Sequence, residues 1–199
     1  MRLLLPVKEC FGRVIEKRVV LIVFAVLFVV GMALGIVFIK TPAIYDYHLN
    51  RCEKFIDSVC FTDRSVFLIF LERIAGHALI LALLLVSGIH PVGLVITPVV
   101  FVFRAYTFGG SLAIFFSTYR MTGALIAIAF YIPVHILFDC VFLAAVALSF
   151  WRARCFRFCK RDFSALIKDA IILFIFIAIV CIVEVILLLI LFHSVGNIL

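Results

Sequence analysis

The sequence predicts an all-α, polytopic membrane helix bundle, and three observations carry that class. Of 199 residues, 67% are apolar and 15% charged, against the roughly 45–50% apolar content usual for soluble domains. A chain of this size cannot hide that much apolar surface from water. The apolar residues fall into five stretches of spanning length. Phe is abundant, at 23 residues, while Gly and Pro number only 10 and 5, which favours helices over the alternating strands of a barrel.

Taken in order, residues 1–18 read as an interfacial basic helix. Pro6 can open it, with Val7, Cys10, Phe11, Val14 and Ile15 on one face and Glu9, Arg13 and Glu16 opposite. Such a helix suits the lipids of an anionic inner leaflet. Val19–Ile39 follows, 21 residues without a charge, longer than the roughly 7–15 residues of a signal-peptide core, so it is expected to anchor. Its Gly31 and Gly35 form a G-x-x-x-G pair for close helix approach. Packing within the same chain is preferred over a homodimer seam.

The external connection, 41–64, carries Leu49, Cys52, Ile56, Val59 and Cys60 at helical spacing, with Arg51, Glu53, Lys54 and Asp57 turned away. Two readings stand: a docking surface for an extracytoplasmic partner, or a helix resting on the bilayer. Val66–Gly88 is 23 residues, with Glu72 and Arg73 in its first third. His77 there reads as interfacial, and His90, beside Pro91 in a tight inner turn, as solvated. Gly93–Phe116 is 24 residues, interrupted by Arg104, with a helix break expected at Pro98 and a small-residue surface at Gly109, Gly110 and Ser111.

Met121–Phe150 is 30 residues, about 45 Å of helix against a hydrocarbon layer of about 30 Å. Pro133 near its midpoint removes a backbone donor, so two half-helices, 121–132 and 134–150, are expected. Broken third and fourth helices are tolerated where protein or water satisfies the freed backbone. The basic connection 151–168 precedes the last stretch, Ala170–Phe192, whose 23 residues include Glu184.

Lys and Arg set the orientation. Residues 1–18 hold five and 151–168 six, while the tail after Phe192 holds none. The expectation is five spans in a single integral membrane domain, 1–199, with the N-terminus cytoplasmic and the C-terminus outside. The net charge of +7 is then mainly a topology signal, and no nucleic acid is expected as a partner.

The informative residues are those that hydrocarbon excludes: Arg104, His135, Asp139 and Glu184. A charged side chain at mid-membrane costs about 2.5–3.5 kcal/mol on insertion scales, so each should find a partner. Arg104 can neutralise Asp139 or Glu184, and His135 lies one turn from Asp139 and can hydrogen-bond to it. All four are expected to meet in one buried polar cluster. Helix fastening ranks first as its role, ion or proton transport second and catalysis last. The chain has no H-E-x-x-H, no G-x-S-x-G and no phosphate-cradling glycine loop, so no catalytic residue and no cofactor are assigned. Among the seven cysteines, Cys52 and Cys60 on one continuous helix stand about 12 Å apart, beyond disulfide reach. Cys155 and Cys159 lack further ligands for a metal.

The order of these polar breaks resembles the stage II sporulation protein M family along nearly the whole chain. The likeness rests on Lys17-Arg18 before the first span, Gly31-Met32-Ala33-Leu34-Gly35 near its end, and Phe67-Leu68 opening the second. Arg104-Ala105 followed by Gly109, Ile132-Pro133-Val134-His135 with Asp139, and Glu184 in the last span complete it. The chain departs from the family's pattern in Val134 between proline and histidine, in Asp139 for glutamate, and in Arg104-Ala105 for asparagine-glycine. The resemblance implies a non-enzymatic membrane scaffold of endospore formation. In that family it anchors two peptidoglycan-degrading partners, stage II sporulation proteins D and P, at the septal membrane during engulfment. Tethering of this kind raises local concentration without chemistry of its own. The alternative is a permease-like transporter subunit, suggested by the prolines and midplane charges.

Overall fold

A computed structural model of the chain describes residues 18–60, 65–154 and 160–196. The interfacial helix expected over 1–18, the end of the 41–64 connection and the Cys155–Cys159 pair lie outside the described residues, apart from Arg18 and residues 41–60. Among the described residues every regular element is helical. They are α1 (Arg18–Phe38), α2 (Pro42–Cys60), α3 (Val66–Ser87), α4 (Gly93–Thr118), α5 (Arg120–Ile126), a π-helical turn (Ala127–Tyr131), α6 (Ile132–Arg154) and α7 (Lys160–Gly196). Five helices are long and apolar enough to cross a membrane: α1, α3, α4, the α5–α6 unit over Arg120–Arg154, and Ser164–Ile190 of α7. The protein is a multi-pass membrane protein.

The two prolines behave differently from expectation. Pro98 does not interrupt α4, which runs through it for 26 residues. Its missing N–H falls near the helix start, where regular bonding has only just begun with Ile96 N–H donating to the Val92 carbonyl at 3.1 Å. Pro133 does not split the fourth crossing into halves. The turn before it widens instead, and Ile132 N–H donates five residues back to Ala127. A π turn shifts the carbonyl ladder by one residue just ahead of the proline, and the helix continues.

Between α4 and α5 the chain reverses over a very short corner. Arg120 has a φ of 49°, the left-handed region that disfavours residues with a Cβ. Gly123 N–H donates to the Tyr119 carbonyl at 3.1 Å, and the hydrogen face of Gly123 sits against the Phe115 carbonyl. On the other side of the membrane, Ser87 Oγ donates to the Leu84 carbonyl and meets Thr97 Oγ1, both at 2.7 Å. That hydroxyl pair joins α3 to α4.

The closest helix crossing is α1 on α4. A Cβ on Gly35 would run into the Tyr106 carbonyl, and one on Gly109 into the Met32 carbonyl. Gly31 faces the Val102 carbonyl and Ala105 of the same helix. The G-x-x-x-G pair is therefore spent inside the chain, as small residues at membrane helix interfaces are.

Two apolar clusters fill the bundle. One gathers Phe24, Leu84, Phe101, Phe142 and Leu173 from α1, α3, α4, α6 and α7. The other joins Cys52 and Phe55 of α2 to Phe115, Tyr131 and Leu188. The second cluster fixes α2. This amphipathic helix lies against the bundle through His48, Cys52 and Phe55, while Asp46, Arg51, Glu53, Lys54 and Asp57 are exposed.

Candidate functional site

The polar interior grows from α4 and α6. Arg104 lies near the middle of α4 and Asp139 near the middle of the α5–α6 crossing, and Arg104 Nε donates to Asp139 Oδ1 at 2.8 Å. The guanidinium also lies over the Phe142 ring, 4.1 Å from its centroid, a cation–π contact strengthened by desolvation. The second nitrogen, Nη2, and Asp139 Oδ2 are buried without a hydrogen-bond partner among the described residues.

His135 is beside this pair but does not bond to it. Its ring is stacked between Tyr131 at 4.0 Å and Phe108 at 5.4 Å. Nδ1 lies 3.0 Å from the Tyr131 carbonyl. A carbonyl only accepts, so Nδ1 carries the hydrogen and Nε2 is left as the acceptor nitrogen. The expected bond to Asp139 is replaced by this backbone one, because the π turn leaves the Tyr131 carbonyl facing the ring.

Glu184 does not take Arg104 as its ion partner. It is 1% exposed, and its contact is with Arg73 of α3, with 3.6 Å between Nε and Oε1. The one convergent cluster expected from the sequence is thus two ion pairs, α4–α6 and α3–α7. The sequence places Arg73 in the first third of the second apolar stretch and assigns it no partner. Its signal is spacing: Arg73 and His77 are one helical turn apart, on the same face of α3. His77 is likewise interior rather than interfacial, with its ring stacked on Phe138 at 3.7 Å. A third pair, Arg152 with the fully buried Asp169, joins α6 to α7. Both residues sit at the borders of apolar stretches, the one cue the sequence offers.

A separate polar site sits under α2, outside the spans. The His48 ring rests where a Gly110 side chain would be, with its atoms inside 3 Å of the position a Cβ would take. Its Nδ1 is 3.5 Å from Ser111 Oγ. Burial, and then the charge of Arg51, hold His48 down at about 4. Cys52, a free thiol, donates from Sγ to the Ser111 carbonyl at 3.5 Å. Burial pushes it up to about 12, outweighing the lowering effects of the Arg51 charge and the Ser111 side-chain hydroxyl. Tyr45 Oη and Thr118 Oγ1 meet at 3.0 Å farther along.

Among the described residues, no three His, Cys, Asp or Glu side chains gather to hold a metal ion. Comparison with family models, with characterised proteins and with solved structures gives no match. What the geometry offers chemically is charge pairing between helices and aromatic enclosure of imidazoles.

Proposed function

We propose that this chain is a non-enzymatic membrane scaffold that holds extracytoplasmic partners at the face carrying α2. The orientation that goes with this reading has the N-terminus cytoplasmic and the C-terminus outside, as the Lys and Arg distribution favours. The observation that carries it is the seating of α2: its apolar face is sealed against α4 and α7, which leaves Asp46, Arg51, Glu53, Lys54 and Asp57 turned outward. A fixed, charged helix on a rigid bundle is a recognition surface, and paired interior charges serve as fasteners that keep it rigid. The resemblance to stage II sporulation protein M supplies the class of partner. D-like and P-like wall hydrolases would be gathered at the septal membrane of an endospore-forming bacterium, raising their local concentration. Co-purification from detergent extracts tests this: reversing Arg51, Glu53, Lys54 and Asp57 together should abolish recovery of the hydrolases. Undiminished recovery would remove α2 as the contact surface.

A second reading, a permease-like subunit, is favoured by the Glu184 oxygens and Asp139 Oδ2, which are buried without a hydrogen bond among the described residues although both carboxylates are ion-paired. Proteoliposome flux that disappears in Asp139→Asn or Glu184→Gln supports it, and stability loss without any flux supports the fastener.

A further inference from the structure

We propose that α2 is a pH-released strap, seated on α4 while His48 is neutral and leaving that seat when His48 takes up a proton. The seat is specific. Only a glycine at position 110 leaves room for the ring, since any Cβ there would overlap it. His48 is fully buried in that seat, edge-on to Tyr47 at 5.1 Å and tilted against Tyr106 at 5.8 Å. One ring nitrogen faces Ser111 Oγ, while Nε2 is buried without a hydrogen-bond partner among the described residues.

A neutral ring tolerates this surrounding, because one nitrogen needs no hydrogen. An imidazolium does not. It carries a second N–H into the unpartnered Nε2 position and a charge into an apolar seat. The groups around it offer nothing in return. Arg51, one turn along α2, repels it. From α4 come Tyr106 and Ser111, which are uncharged. The α7 helix also packs on α2, and its buried acid, Glu184, is engaged by Arg73. Asp46 and Glu53 are on the exposed face of α2.

The sign follows from linkage. The docked ring holds its proton only below about 4, and a released one below about 6.5. Seating is therefore fully favoured above about 6.5 and weakens as pH falls towards 4. Between pH 7 and pH 4 the ratio of released to seated strap rises on the order of a hundredfold. This does not depend on whether a partner occupies the outward face.

Cys52 supplies the readout, since its thiol is sealed under the strap with 1% exposure. Full-length protein in lipid nanodiscs is treated with a dipyridyl disulfide, a reagent that stays thiol-reactive in acid. Labelling of Cys52 is read by peptide mass spectrometry, normalised to a Glu53→Cys reference on the exposed face. A rise of tens-fold or more from pH 7 to pH 4 is expected in the wild type, with little change in His48→Gln or His48→Phe. An unchanged wild-type ratio overturns the proposal, as does the full acid response in either variant. Should neither variant shield Cys52 at pH 7, nitrogen-15 imidazole spectra of the wild type decide. His48 protonation must then accompany Cys52 labelling, and a protonated His48 with Cys52 still shielded overturns the strap.

Discussion

At the scale of single residues, the deciding fact is that Arg104 is paired with one carboxylate in a nearly closed interior. The guanidinium reaches Asp139 at 2.8 Å and the two side chains are 11% and 12% exposed. Removing one partner strands the other charge, which costs about 3–5 kcal/mol at buried soluble sites. Asp139→Asn should therefore lower stability by about 3 kcal/mol, read as a fall in melting temperature in detergent. Replacing both, as Arg104→Met with Asp139→Leu, removes the stranded charge and should recover more than half of that loss. A double variant as unstable as the single one would mean that the pair works through something other than charge compensation. That Arg104 would find an acid was legible beforehand, because hydrocarbon forces an intramembrane Arg towards one, but the sequence left Asp139 and Glu184 both open. The partner of Glu184 was not legible. Arg73 lies in the first third of the second apolar stretch, beside Glu72, and spacing along a sequence says nothing about which neighbour α7 chooses.

Among elements, backbone proximity separates glycines that matter from those that do not. Gly35 has no room for a Cβ against the Tyr106 carbonyl, whereas nothing lies within 4 Å of the corresponding position at Gly76. Overpacking of this kind costs about 1–3 kcal/mol, so Gly35→Ala should lower the melting temperature. Gly76→Ala should leave it unchanged or raise stability by up to about 1 kcal/mol through helix propensity. Equal effects at the two sites would contradict the α1–α4 crossing. The corner before α5 gives the reverse case. Arg120 occupies a left-handed conformation, and Arg120→Gly should stabilise by up to about 1 kcal/mol, since glycine has no Cβ to strain there. The G-x-x-x-G pair was readable from its spacing, but its partner helix was not. Pro133 shows where local rules run out: a missing N–H identifies the disturbance, and only the packed bundle decides between a break and the π turn at Ala127–Tyr131.

For the molecule as a whole, the ion pairs define which helices are neighbours, and that arrangement can be interrogated by exchanging charges. Arg73–Glu184 ties α3 to α7, Arg104–Asp139 ties α4 to α6, and Arg152–Asp169 ties α6 to α7. With α1 locked on α4 through glycine contacts and α2 seated on the second cluster, every crossing is tied to another by something other than apolar surface. Apolar surface alone cannot select these neighbours, since lipid tails satisfy it equally well. Each single reversal, Arg73→Glu or Glu184→Arg, places two like charges against each other in the interior and should sharply reduce the yield of monodisperse protein in detergent. The exchanged pair, Arg73→Glu with Glu184→Arg, should recover a substantial part of that yield. The control is the pairing that sequence alone permitted, Arg104→Glu with Glu184→Arg. It leaves both Arg73 and Asp139 facing a like charge, so it should fare no better than the single reversals. Rescue by that control, with none from the α3–α7 exchange, would reassign Glu184 to α4 and place α7 against a different neighbour.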